Sequence, residues 1–141
     1  MTLGINIYTK QLRHGAAEEN LITLSLYDIG GQDRFKHVRH TFLKGALGAA
    51  FVYDVTRPTT LDKLDEWWKQ LRAAESRKNV VTVLVGNKVD LTDFVAVSEE
   101  EGRAFAEKIG SLAHIYTSAK TSQNVNEMFT RLADAIMNQN R

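Results

Sequence analysis

Val80-Val81-Thr82-Val83-Leu84-Val85-Gly86 runs directly into Asn87-Lys88-Val89-Asp90, and this junction of an apolar run with a polar tetrapeptide decides the fold. Apolar residues at consecutive positions suit a strand covered on both faces, as parallel strands are in α/β layer proteins. Polar side chains that follow such a strand emerge at its carboxyl end, where open α/β sheets bind ligands. Ala46 to Tyr53 and Leu112 to Tyr116 have the same character and read as further buried parallel strands.

The segments between these runs carry helical periodicity, which completes an alternating α/β pattern. Leu61, Leu64, Trp67, Trp68 and Leu71 recur at helical spacing after Pro58 and predict a helix of about four turns, with Thr59 or Thr60 as its cap. Ser98 followed by Glu101 has the spacing of a capping box, Phe105, Ala106 and Ile109 form an inner face, and Gly110 stops the helix. Asn124 and Glu127 repeat the start signal before a stripe of Val125, Met128, Phe129, Leu132, Ala133 and Ile136. Spacing assigns Trp67, Trp68, Met128 and Phe129 to core packing rather than to a ligand box. Near the amino end, Leu3 to Leu12 and Leu21 to Tyr27 alternate apolar and polar residues around the polar stretch Arg13 to Asn20, which predicts an antiparallel hairpin at a sheet edge.

Composition narrows the function classes. The 141 residues are 43% hydrophobic and 25% charged, an ordinary balance for one globular domain, taken as residues 1–141. A net charge of +1 argues against a nucleic-acid binder that works by neutralising phosphates. The 141 residues hold no cysteine, so disulfides, thiolate metal sites and lipid attachment through a C-terminal cysteine are not expected. With no secretory leader and no long apolar segment, a soluble cytoplasmic protein is expected. His37 and His40 lie three apart but have no third ligand nearby, so a solvated face is expected there, as it is for Lys36, Arg39 and Lys44.

Three short motifs carry chemistry. In Asn87-Lys88-Val89-Asp90, the Asp90 carboxylate can accept two hydrogen bonds from the N1 and N2 groups of guanine. Adenine lacks that donor pair and would leave the carboxylate unpaired, which makes Asp90 the expected specificity residue. Lys88 can lay its methylene stem over the base while its ammonium stays in water, and Asn87 can tie neighbouring loops together. Ser118-Ala119-Lys120 follows another strand and offers an amide for the guanine O6 and a second lysine for the opposite ring face. Asp28-Ile29-Gly30-Gly31-Gln32 ends an earlier strand: its carboxylate suits the hydration shell of Mg²⁺, its glycine lets an amide approach a γ-phosphate, and Gln32 can orient a water. A polar or Gly-Gly turn is the simpler reading of each alone; their order and mutual complementarity favour the chemical one.

From Thr2 to about Asn138 the chain resembles a Ras-superfamily small GTPase of the Rab branch. The resemblance rests on Thr2-Leu3-Gly4-Ile5-Asn6 as the end of switch I, Gln32-Asp33-Arg34-Phe35 as the start of switch II, Val52-Tyr53-Asp54-Val55-Thr56, and Leu84 to Leu91. It implies a P-loop NTPase-like α/β three-layer sandwich with a mostly parallel sheet, GTP or GDP as ligand, Mg²⁺ as cofactor, and effector or regulator proteins bound through the switch regions. It further implies that Thr2 binds Mg²⁺ and the γ-phosphate, that Asp28 supports the metal, that Gly31 senses the γ-phosphate and that Gln32 positions the attacking water. Asn87, Lys88, Asp90, Ser118, Ala119 and Lys120 would hold guanine. The function implied is a switch that hydrolyses GTP to GDP in vesicle trafficking or signalling.

The sequence also departs from the family pattern. Gly-x4-Gly-Lys-Ser/Thr, the phosphate-binding loop, does not occur in these 141 residues, and the strand and helix that flank it in the family have no counterpart. That strand lies in the family between the hairpin and the next parallel strand, so an N-terminally truncated domain with two open sheet edges is expected. Gly30 stands where Rab members usually carry alanine, and Ile7 where they carry an aromatic residue. The first expectation is a GTPase active when complete; the alternatives are a catalytically inactive interaction module and a subunit completed by a partner chain.

Overall fold

The computed structural model describes residues 5–14, 20–29, 40, 41, 43–74 and 80–139, with residues 5–7, 14, 20, 28 and 29 through their backbone alone. The alternating amino-terminal segments form β1 (Ile5–His14) and β2 (Asn20–Ile29), paired antiparallel with Ile5 opposite Ile29 and His14 opposite Asn20. The three apolar runs form β3 (Gly48–Asp54), β4 (Val81–Asn87) and β5 (His114–Tyr116), all parallel, in the order β3-β4-β5. In register, Asp54 stands beside Asn87 and Gly86 beside Tyr116, so the polar residues that follow the strands gather at one end of the sheet.

Helices α1 (Pro58–Ala74), α2 (Glu99–Ile109) and α3 (Val125–Gln139) complete the layers. One core joins Phe51, Tyr53 and Leu84 of the sheet to Leu61, Leu64 and Leu71 of α1 and Ile109 of α2, with Trp67 and Trp68 packed against it. The other joins Val81, Val83, Val85 and Ile115 to Met128 and Leu132 of α3, with Phe129 alongside. Val81 to Gly86 are therefore buried on both faces, as their unbroken apolar run predicts. Among the described residues no helix is long and apolar enough to cross a membrane.

Four expectations are corrected. The hairpin does not edge the parallel sheet: it forms a sheet of its own, and among the described residues β3 is paired on one side only, with β4. The ammonium of Lys10 over the Phe129 ring, 5.2 Å from its centre, links hairpin to α3. Nor is β3 covered on both faces. Ala50 and Val52 share the face of Val83 and Val85, yet α3 reaches β3 at Gly48, where an added Cβ would meet Ile136 and Leu132, and Val52 stays 48% exposed.

The other two corrections concern how helices are capped. Thr59 and Thr60 lie inside α1, which begins at Pro58; Thr60 Oγ1 accepts from the Asp54 N–H at 2.9 Å and donates to the Arg57 carbonyl at 2.6 Å, so it ties the helix to the end of β3. α3 begins at Val125, directly after Asn124 as its start signal predicts, and the Asn124 carbonyl accepts from the Met128 N–H at 3.0 Å; what differs is the side chain, since Asn124 has φ 57°, unlike an extended N-cap, and donates to the Tyr116 carbonyl at 2.8 Å. By contrast, Ser98 and Glu101 form the full capping box, and Gly110 ends α2 with φ 65°.

Candidate functional site

At the carboxyl ends of β4 and β5, two loops border an open cleft of about 270 Å³ lined by Asn87, Lys88, Asp90, Leu91, Ala119 and Lys120. The volume is near the lower end of the range for small-molecule pockets. Asn87, the last residue of β4, accepts from Thr117 Oγ1 at 3.1 Å and from the Ala119 N–H at 3.3 Å, binding the two loops through its side chain. Backbone bonds from the Val89 N–H to Thr117 O, 3.2 Å, and from the Thr117 N–H to Gly86 O, 2.8 Å, hold the same seam.

Ser118 is fully buried, donates its hydroxyl to Asp90 Oδ1 at 2.7 Å and accepts from the Thr121 N–H at 3.1 Å. A carboxylate oxygen has lone pairs beyond the one this bond uses, so Asp90 can still accept a pair of donors from a ligand. The serine therefore orients the carboxylate rather than satisfying it. The Ala119 amide, a candidate donor to a ligand carbonyl, is held by Asn87 in a bond long enough for a ligand to compete. Lys120 is exposed at the rim.

Lys88 adopts φ 70°, and its ammonium pairs with Asp54 Oδ2 at 2.9 Å. The Asp54 carboxylate also accepts, through Oδ1, from the Thr56 N–H at 2.9 Å and the Thr56 hydroxyl at 2.6 Å. Partial burial works to raise the Asp54 pKa; the Thr56 hydroxyl, Lys88 and the Thr56 amide together outweigh it and hold the carboxyl below its ordinary value. Asp54 and Thr117 are site residues to which sequence reading gave no role. The signal for the first was the Asp-x-Thr spacing at a strand end, which favours a side-chain-to-backbone turn.

All six residues expected to hold guanine are thus brought together, Ser118 from behind the wall and the other five on it. Thr2, Gly31 and Gln32, expected to meet phosphate, metal and water, lie outside the described residues, as do His37, Lys36 and Arg39. Asp28 is described through its backbone alone, in β2 opposite Asn6. His40 is exposed, and no group of three His, Cys, Asp or Glu that could hold a metal occurs among the described residues.

A family model described as Ras family matches residues 1–138. The chain belongs to the Ras family. It is 39% identical over 135 residues to Ras-related protein Rab11E of Lotus japonicus, an alignment that covers 96% of this chain and 60% of that protein. Ras-related protein RIC2 of Oryza sativa subsp. japonica is 38% identical over 135 residues, with the same coverage. Ras-related protein RABA4b of Arabidopsis thaliana is 38% identical over 137 residues, covering 97% of this chain and 59% of its own. The Rab-like reading agrees with these likenesses, and this Ras-family chain spans about 60% of the length of the curated relatives it matches.

Proposed function

We propose that residues 1–141 carry the base-recognition half of a Rab-like small GTPase domain, a guanine-nucleotide switch that hydrolyses GTP to GDP in vesicle trafficking or signalling when its phosphate site is complete. The observation that supports this most is the Ser118–Asp90 bond, which aims a carboxylate acceptor into a cavity walled by both base motifs. Asp90 would accept the N1 and N2 hydrogens of guanine, and the Lys88 and Lys120 stems would flank the ring. Asn87 would keep the two loops in register.

The residues fit a guanine base: one oriented carboxylate, apolar stems and a backbone amide border a cleft of about 270 Å³, which has room for a base. For the phosphate half, family likeness alone supports Thr2 and Asp28 as Mg²⁺ residues, Gly31 at the γ-phosphate and Gln32 at the attacking water. Mg²⁺ would neutralise charge on the phosphates during transfer. Effectors and regulators would bind through the switch segments around Thr2 and Gln32, on the cytoplasmic side of a membrane.

A second reading is a subunit completed by another chain, favoured by β3, which is paired on one side only among the described residues and presents a half-exposed Val52. An added strand could pair with that edge and cover the valine. Titration of the chain with fluorescent GDP and Mg²⁺, with unlabelled GDP and ADP as competitors, separates the readings. The first predicts displacement by GDP and not by ADP; equal displacement by both overturns guanine recognition, and binding that appears only with an added partner chain supports the second.

A further inference from the structure

We propose that Asp54 is a positioning residue of the base site: it tethers the Lys88 ammonium so that the lysine stem lies along the cavity wall, ready to cover the face of a bound guanine. The inference rests on the base-site reading above and adds to it a residue from a different strand. Lys88 lines the cavity, and two features make its placement specific. Its backbone sits at φ 70°, a region that costs L-residues energy, so the loop is held there by its surroundings. Its side chain is half exposed, at 52%, yet its tip is pinned to a carboxylate that is only 12% exposed.

The two oxygens of Asp54 do separate work. Oδ1 is taken up by the Thr56 amide and hydroxyl, which fix the plane of the carboxylate, and Oδ2 is left to face Lys88. The backbone of Asp54 is anchored in turn, by its N–H to Thr60 Oγ1 at 2.9 Å and by its register beside Asn87. A half-exposed ion pair adds little to stability. A free lysine stem, however, loses rotamer freedom when a ligand orders it, and a tether that orders it beforehand spares binding that loss.

Because the oxygens are divided, Asp54→Asn tests the tether selectively: the amide oxygen can still accept from Thr56, while the –NH₂ can no longer accept from Lys88. GDP affinity in the presence of Mg²⁺ is measured in the full chain for wild type, Asp54→Asn, Lys88→Met and the double variant; methionine keeps an apolar stem without the charge. Asp54→Asn is expected to weaken GDP by about tenfold, and to change nothing further in the Lys88→Met background. Equal loss in both backgrounds overturns the proposal, because Asp54 then acts on the loop and not through Lys88; so does an unchanged affinity of Asp54→Asn. If Asp54→Asn does not fold, Lys88→Arg serves, since it keeps a cation for Asp54: it should lose less GDP affinity than Lys88→Met, which falls about tenfold, and equal losses overturn the tether. Wild type that binds GDP no more tightly than ADP, alone or with a partner chain added, removes the base-site reading and this inference with it; wild type that prefers GDP while the variants show no coupling removes this inference alone.

Discussion

The Ser118 hydroxyl donates to Asp90 Oδ1 at 2.7 Å, joining residues 28 apart in sequence, and Ser118 itself has no exposed surface. A buried donor held this way fixes the direction of the acceptor, which is what a base-reading carboxylate requires. Ser118→Ala removes that hydroxyl and also the acceptor of the Thr121 N–H. Hydrogen bonds to charged groups contribute roughly 1.5 to 3 kcal/mol, so guanine-nucleotide affinity should fall by about tenfold to a hundredfold, read by titration with fluorescent GDP. An unchanged affinity would mean that Asp90 needs no orienting partner.

Asn87→Ala should act on the fold as well as on the ligand. The side-chain oxygen of Asn87 serves both Thr117 Oγ1 and the Ala119 N–H, and Thr117 is buried. Stranding those groups should lower stability by about 1 to 3 kcal/mol, measured by urea denaturation. Asn87→Asp keeps the acceptor and should lose less.

The carboxylate at position 90 and the capping box at Ser98 were legible because their signals are local: a strand that ends in a polar tetrapeptide, and a serine three residues before a glutamate. Gly110 was legible for the same reason, since a helix that ends in φ 65° asks for glycine. Asn124 shows the limit. Its type and spacing match an N-cap, but its amide is drawn to the Tyr116 carbonyl, a partner that exists only once β5 has docked. The tether of Asp54 to Lys88 was invisible for a like reason, because it depends on β3 and β4 lying side by side in register. The separation of the hairpin from the parallel sheet agrees with the two open edges expected where the family has an intervening strand, whereas periodicity within one strand carries no information about which strands meet.

His114 gives a pH-dependent stability. Its Nε2 lies 2.8 Å from the Tyr53 hydroxyl, its ring stacks obliquely on Tyr116, and Glu99 and Arg103 of α2 act on it from the helix side. Burial lowers its pKa from the ordinary 6.5, and Arg103 adds to the lowering while Glu99 opposes it. The unfolded chain therefore binds the proton more readily than the folded one. The stability it contributes is fully present above about pH 6.5 and is lost as pH falls through that value toward the depressed folded pKa. Urea midpoints at pH 7.5 and 5.5 should show this loss, and His114→Phe should reduce the difference. A midpoint difference that His114→Phe leaves untouched would assign the effect to other groups.

Gly102 marks the closest approach of α2 to this cluster. A Cβ at Gly102 would run into the His114 ring and come within 2.8 Å of the Tyr53 hydroxyl, two groups hydrogen-bonded to each other, with Tyr53 buried and His114 partly so. Gly102→Ala should lower stability by about 1 to 3 kcal/mol despite the better helix propensity of alanine. Thermal melting of Gly102→Ala beside an exposed helix substitution such as Glu107→Ala checks this, the second being expected to move the midpoint little.

Guanine recognition through Asp90 has one direct chemical test. Asp90→Asn replaces one acceptor oxygen by a donor nitrogen, which suits xanthine, whose ring carries a carbonyl where guanine carries the N2 amine. Competition of xanthosine diphosphate against GDP on wild type and Asp90→Asn, with Mg²⁺ and with folding verified by circular dichroism, measures that exchange. Wild type should prefer GDP and the variant should prefer xanthosine diphosphate, a reversal by a factor of about 10² or more. The same preference in both proteins would show that Asp90 does not read the base.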